Sequence, residues 1–208
     1  MNVDEEMNLL HYAPFYNNQI EIIRYIAKSI PIDYVLFVKD HFASKLRGWH
    51  EPSYYKEISE IPNVVLINPN FDNDTLVKSS KLIFGIRGTT PLKALKHGIP
   101  SIIFGDQAFK ILPSIFKIDS LTSLPDLILE ALSHKVKLFE SEQYERILQN
   151  RLIEFNMFEY EYQRNLNFFS GGINSNILIS ENHMHKFLKE NKDSFTKLVN
   201  FHLKLLTS

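Results

Sequence analysis

The chain has 208 residues, and its 23 lysines and arginines nearly balance 24 aspartates and glutamates, which leaves a formal net charge of −1. This balance argues against binding nucleic acid by broad phosphate neutralisation, which requires an excess of basic residues. The absence of cysteine excludes disulfide bonds, thiolate zinc sites, iron–sulfur clusters and a cysteine nucleophile. No apolar run approaches the roughly 20 residues of a membrane-spanning helix, and the acidic amino terminus does not resemble a signal peptide. We therefore expect a cytoplasmic protein that associates at most peripherally with the inner face of the membrane.

The first two thirds of the chain alternates short apolar runs with segments of helical spacing. The apolar runs predict strands buried on both faces, at residues 35–38, 64–67, 82–86, 101–105 and 115–118. The helical spacing predicts helices over residues 18–30, 53–60, 74–79, 90–97 and 124–132. This alternation is typical of βαβ units. It predicts an α/β fold with a Rossmann-like, doubly wound parallel sheet over residues 15–139, preceded by an amino-terminal extension at 1–14.

The last third, residues 140–208, is predicted to be helical. Residues 140–169 form a long helical pattern dense in aromatic residues, and residues 181–206 form a second, amphipathic helix after a glycine pair. These helices either pack on the sheet domain or dock on another domain or subunit. The sequence leaves both interpretations open.

The sheet lacks a recognisable first strand. Doubly wound domains usually begin with a strand, but only Leu9 and Leu10 offer apolar character before the first helix. Either the sheet is built without this strand, or another segment supplies it.

Polar side chains follow four of the predicted strands. Ligands of doubly wound sheets bind outside the carboxyl ends of the strands, so these loops should open on one rim. We therefore expect one crevice lined by Lys39, His41, Arg87, Thr89, Thr90 and Asp106.

The segment from Arg87 to Pro91 suggests an anion site. Gly88 would let the backbone approach a ligand, Thr89 and Thr90 stand where a helix begins, and Arg87 could make a forked contact with phosphate. The alternative is ordinary helix capping by one of the threonines. The chain has neither a dinucleotide-binding GxGxxG motif nor a P-loop.

His41 directly follows a predicted buried strand. A histidine there can donate to a phosphate oxygen or protonate a leaving group near neutral pH. A loop histidine bonded to the backbone is the alternative. The other histidines have no spacing that suggests a metal site.

These motifs, in their order, resemble the carboxyl-terminal half of bacterial capsule and lipopolysaccharide glycosyltransferases, a group that includes enzymes transferring Kdo and sialic acid. The resemblance spans residues 14–110 and depends on four motifs: Val38-Lys39-Asp40-His41, Gly88-Thr89, Ala94-Leu95 and the segment from Gly98 to Gly105.

The resemblance implies a GT-B arrangement, in which this domain holds a nucleotide-sugar donor, CMP- or UDP-linked among the candidates, without a metal or other cofactor. It implies that His41 contacts the donor phosphate and helps the nucleotide depart. It also implies that Gly88, Thr89 and Thr90 hold phosphate or sugar.

The sequence departs from the family pattern at three positions: Phe42 replaces a proline, Pro91 replaces a glycine and Lys93 replaces a glutamate. A lysine cannot accept hydrogen bonds from sugar hydroxyls, although it can hold a phosphate or carboxylate. The amino-terminal acceptor domain of the family has no counterpart in these residues. Three interpretations stay open: a donor-binding half that needs an acceptor-binding domain or partner chain, a fragment of a longer protein, or a degenerate module.

Three hypotheses follow from the sequence. The first is a donor-binding glycosyltransferase domain for surface polysaccharide. The second is a non-catalytic or partner-dependent interaction module of the same fold, which binds a partner or a second copy of itself through its carboxyl-terminal helices. The third is a protein similar to UDP-N-acetylglucosamine 2-epimerases, which share this architecture.

Overall fold

The computed structural model describes residue 1 and residues 7–41, 50–137, 139–149 and 180–207. Its strands are β1 (Leu36–Lys39), β2 (Val64–Ile67), β3 (Ile83–Gly85), β4 (Ser101–Ile103) and β5 (Ile115–Lys117). Its helices are α1 (Met7–Tyr12), α2 (Gln19–Ser29), α3 (Pro52–Ser59), α4 (Asn73–Lys78), α5 (Thr90–Leu95), α6 (Leu124–Ser133), α7 (Phe139–Gln149), α8 (Glu181–Glu190) and α9 (Lys192–Thr207).

The helices begin where the sequence supplies caps and prolines. The side chain of Asn18 accepts a hydrogen bond from the Glu21 amide at the start of α2, and Asp72 accepts one from the Thr75 amide at the start of α4. Helices α3, α5 and α6 each carry a proline in the first turn, where its missing N–H costs nothing. The starts of these five helices are therefore determined largely by local sequence.

All strand pairs in the described residues are parallel, which confirms the predicted α/β class. Strand β1 pairs with β2, and β3, β4 and β5 form a separate sheet in that order. The described strands thus form two sheets, and no described strand joins β1 to β3.

Helices cover both faces of the three-stranded sheet. Successive side chains of a strand point to opposite faces. Phe84 packs against a large cluster that contains Ile26 of α2 and Ile128 of α6, whereas the neighbouring Ile83 packs against Val77 of α4 and Ala94 of α5. Each face of β3 therefore has its own apolar layer.

The chain divides into two compact units, residues 1–147 and residues 148–208. In the second unit the rings of Phe187 and Phe195 meet edge to face, with centroids 6.0 Å apart, and Phe187 is buried.

The prediction of one helix over residues 181–206 was wrong: α8 ends before Asn191, whose backbone and side-chain N–H groups both donate to the Phe187 carbonyl. Most of the predicted helix over residues 140–169 lies outside the described residues. Among the helices described, none combines the length and apolarity needed to cross a bilayer.

A buried carboxylate attaches α7 to the sheet domain. Glu140 is only 2% exposed, and it accepts hydrogen bonds from the Ser114 amide at 3.0 Å and the Ser114 hydroxyl at 2.8 Å. The Lys137 amide donates to the same carboxylate at 3.3 Å. Because Ser114 immediately precedes β5, this network fixes where α7 starts relative to the sheet.

We predict that Glu140→Ala lowers the free energy of unfolding by about 2 to 3 kcal/mol, because it leaves the buried Ser114 amide without an acceptor. Glu140→Gln retains one oxygen and should lose less. Urea denaturation measures both. Glu142→Ala, on the exposed side of α7, is the matched control and should change stability by less than about 0.5 kcal/mol. Equal losses at Glu140 and Glu142 would contradict the assignment.

Candidate functional site

The carboxyl ends of β1 and β3 form the rim of a cavity of about 930 Å³. Four of the residues predicted to share a crevice line it together: Lys39, His41, Arg87 and Thr90. Gly88 and Thr89 continue the loop from Arg87 and are exposed. Lys93 and Asp106 are not among the residues that line the cavity.

Lys39 ends β1 and turns its ammonium group toward the start of α4. Its Nζ donates a hydrogen bond to Oδ1 of Asn73. Burial lowers the pKa of Lys39, and the negative charge of Asp72 opposes this effect. Lys39 is thus a partly desolvated cation at the rim, where its charge acts more strongly on an anion than it would in bulk water.

Asp40 fixes the backbone that presents His41. Asp40 is 2% exposed, and its carboxylate accepts hydrogen bonds from the His41 amide at 2.7 Å and the Tyr55 hydroxyl at 2.6 Å. Burial and then the hydrogen bond to Asp40 raise the pKa of Tyr55 to about 12. The His41 side chain itself is exposed. Sequence reasoning missed Asp40 and Tyr55, although a carboxylate between Lys39 and His41 was a visible signal for the former.

Arg87 is held from two directions. Its guanidinium lies over the ring of Tyr12 at 3.9 Å from the centroid, and Nη1 donates to the Asp106 carbonyl oxygen at 2.8 Å. These contacts fix a delocalised positive charge at the end of β3. Nothing in the local sequence identified Tyr12, because it belongs to α1, 75 residues away.

The loop after Arg87 requires a glycine and borders an unsatisfied donor. Gly88 has φ of +131°, a conformation that side chains disfavour, and its N–H donates to Oε1 of Gln107 at 3.1 Å. Because the Gly88 amide is a donor, the amide oxygen of Gln107 must face it. The Gln107 Nε2 atom is then buried without a hydrogen-bond partner among the described residues. Such a donor is costly to leave unpaired, which suggests that an acceptor binds beside this loop.

The helix that begins at Thr90, where the sequence suggests an anion site, is short. Helix α5 has six residues, and its N-cap Thr89 makes no side-chain capping bond. The Thr89 carbonyl accepts a hydrogen bond from the Lys93 amide, and the Lys93 side chain is exposed on the helix. The positive charges at this rim belong to Lys39 and Arg87, and they would act on an anion more strongly than the dipole of so short a helix.

Asp106 contributes to the site through its backbone carbonyl rather than through its carboxylate. The carboxylate is paired with Nζ of Lys110 at 2.6 Å, and that hydrogen bond lowers the pKa of Asp106. Its carbonyl oxygen is the acceptor for Arg87. Asp106 is thus a positioning residue for Arg87. Phe42, the predicted departure beside His41, lies outside the described residues.

A smaller cavity of about 430 Å³ adjoins the same rim at the carboxyl end of β2. It shares Asp40 with the larger cavity and is also lined by Tyr55, Asn68 and Asn70. Amide and hydroxyl groups of this kind suit the hydroxyls of a sugar or ribose. The rim therefore offers cations for an anionic group beside neutral polar groups.

No family model, curated protein or solved structure matches this chain. The case for a function therefore depends on the residues of the rim.

We predict that Tyr55→Phe lowers the free energy of unfolding by about 1 kcal/mol at pH 7, because it removes the hydroxyl bonded to Asp40. The pKa of Tyr55 is about 12 in the folded chain against 10.0 for an ordinary tyrosine. The stabilisation is therefore complete below pH 10 and declines as the pH rises toward 12. Urea denaturation of both proteins at pH 7 and pH 11 measures the difference.

The matched control is Tyr25→Phe, since the Tyr25 side chain is 44% exposed. It should leave stability unchanged at either pH. A wild-type advantage over Tyr55→Phe that stays constant across this pH range would contradict the role given to the hydroxyl.

Proposed function

We propose that this chain is the donor-binding domain of a GT-B-type glycosyltransferase for bacterial surface polysaccharide, with a Rossmann-like, doubly wound sheet. The observation that carries the proposal is the convergence of Lys39, His41 and Arg87, from two different strands, on the mouth of one cavity. A cluster of three potential cations at the carboxyl ends of parallel strands suits the phosphate of a nucleotide-activated sugar.

In the proposed reaction an acceptor hydroxyl attacks the anomeric carbon while the bond from that carbon to the phosphate oxygen breaks. Negative charge grows on the departing phosphate. His41, protonated, donates to that oxygen, and Arg87 stabilises the charge from a position already fixed by Tyr12 and Asp106. The acceptor and the base that activates it belong to another domain or a partner chain.

Gln107 adds a neutral contact to the same phosphate, beside the exposed backbone of Gly88. No atom of the described residues lies within 4 Å of the place that a Cβ of Gly88 would take, so its backbone is open to a close approach. The buried Nε2 of Gln107 supplies a donor beside it. Since Lys93 cannot accept from hydroxyls, we place the sugar or ribose hydroxyls near Asn68 and Asn70 instead.

Isothermal titration of the chain with CMP, UDP, GDP and dTDP tests the proposal. One nucleotide should bind, and a hundredfold excess over its dissociation constant should add about 2.7 kcal/mol to the free energy of unfolding. His41→Ala should weaken binding about tenfold, as expected for the loss of a charge-assisted hydrogen bond of about 1.5 kcal/mol. His185→Ala, on α8 with a side chain 72% exposed, is the matched control and should bind normally. Failure of all four nucleotides to bind would overturn the proposal.

Gln107→Glu provides a second variant for the same titration. It keeps an oxygen for the Gly88 amide but replaces the unpartnered donor with an anionic oxygen. If the proposal is correct, Gln107→Glu folds normally and binds the nucleotide more weakly than the unsubstituted chain. Unchanged affinity would remove Gln107 from the site.

The second candidate, a module that acts through association, has one specific observation in its favour. On α9, Val199, Leu203 and Leu206 recur at helical spacing and are 53%, 54% and 84% exposed. Under this candidate the face pairs with a second copy of the chain.

Light scattering after size exclusion tests this second candidate. We expect a dimer at micromolar concentration, which Val199→Asp abolishes because a charge cannot be buried in an apolar interface. Asn200→Asp adds the same charge one position along and is the control. A monomer at every concentration would eliminate self-association through α9.

A further inference from the structure

One edge of β1 and one edge of β3 have no strand partner among the described residues, and the backbone groups on these edges lie outside the two ladders. In a parallel ladder, alternate residues bond to the strand on either side. The Leu36 amide donates to the Asn63 carbonyl next to β2, so the backbone groups of Phe37 and Lys39 turn away from β2. The Ile83 amide likewise donates to Pro100 next to β4, which turns the groups of Phe84 away from β4.

The same two edges line the 930 Å³ cavity, which we call the slot. Its lining is mostly apolar, with Ile26 and Ile128 from one cluster and Leu76 and Val77 on the other face, and it also includes the polar side chains of Gln19, Ser79 and Ser80. Charged residues are confined to its ends: Lys39 and Arg87 at the carboxyl ends of the strands, Asp33 and Lys81 at the amino ends.

Side chains at the slot are more exposed than strand residues of this type should be. Apolar runs in a parallel sheet are normally covered on both faces. Phe37, in the middle of β1, is nevertheless 49% exposed, and Val35 just before it is 51% exposed. An occupant that covers them would bury apolar surface, which is favourable.

The contact made by Met1 shows that the backbone edge of β1 accepts a hydrogen bond from an N–H donor. The amino group of Met1 donates a hydrogen bond to the Lys39 carbonyl, one of the groups turned away from β2. The Lys39 carbonyl at the carboxyl end of this edge is therefore within reach of an N–H donor that lies in the slot. A segment running along the slot toward that point would be parallel to β1.

We propose that the slot receives an extended apolar strand of polypeptide from outside these 208 residues, parallel to β1 and β3 and hydrogen-bonded to both. The strand joins the two sheets into one. A span matching β1 needs about five residues, or roughly 16 Å, and β-branched, uncharged side chains suit its two apolar faces. This inference does not depend on nucleotide binding, since it concerns the backbone edges beneath the rim.

The test fuses the occupant to the chain. A segment of about five alternating valines and isoleucines, behind a short lysine-rich tail for solubility, is joined directly to Met1, so that it enters the slot at a high effective concentration. Hydrogen exchange followed by NMR should show that the Phe37 and Phe84 amides exchange at least about tenfold more slowly than in the unfused chain. The urea midpoint should rise in parallel.

The matched control is the same fusion with proline at the centre of the segment, which cannot donate to the ladder. It should show neither protection nor stabilisation. Equal effects of the two fusions, or no effect of either, would overturn the proposal. Nucleotide titration of the fusion is a separate measurement, so failure of one proposal is distinguishable from failure of the other.

Other occupants give different results in the unfused chain. If Phe37 and Phe84 are already protected in a monomer, the chain fills its own slot. If they are protected only in a dimer, a second copy does so. If an apolar fluorescent dye binds and the fused strand does not displace it, the slot takes a small molecule. Each of these outcomes contradicts a strand supplied from outside.

Discussion

The alternating hydrogen bonds of the parallel ladder are the constraint on which the rest of this molecule depends. Parallel strands place all their carboxyl ends at one edge, so the loops after β1 and β3 deliver Lys39, His41 and Arg87 to the same rim. The same alternation directs the backbone of Phe37 and Phe84 into the slot. The candidate site and the gap between the two described sheets are therefore two consequences of one arrangement, in which the rim is the upper end of the slot.

Rigid neighbours give the rim its chemical character. Asp40 is buried and bonded to Tyr55, and Arg87 lies between Tyr12 and the Asp106 carbonyl. A site whose charges are already in place spends little binding energy on ordering them. The Nε2 of Gln107, which has no acceptor in the part of the chain that the structure describes, is the complementary sign, because a buried donor without an acceptor is tolerated most readily where a ligand completes it.

Much of the α/β framework could be predicted from sequence because its signals are local. Apolar runs located all five described strands, and the prolines marked the first turns of α3, α5 and α6. Among the described residues no strand precedes α2, and the sequence there has no apolar run long enough to predict one. Tyr12, Tyr55 and Gln107 were missed because their roles arise from contacts between distant segments, which no periodicity encodes. The apolar spacing did not reveal the break between α8 and α9 at Asn191. The Asn191 side chain donates a hydrogen bond to the Phe187 carbonyl, and this contact leaves the spacing of the apolar residues unchanged. The predicted roles of His41, Thr89, Thr90 and Lys93 remain predictions.

The most direct measurement of the central claim is a ¹⁵N–¹H NMR titration of the chain with CMP and UDP that follows the backbone amides of the rim and the Gln107 side-chain amide. The account predicts that one nucleotide shifts the Gly88 and His41 signals together with Gln107 Nε2–H, at a single dissociation constant. Unchanged rim signals at saturating nucleotide, or shifts confined to residues outside the rim, would contradict it.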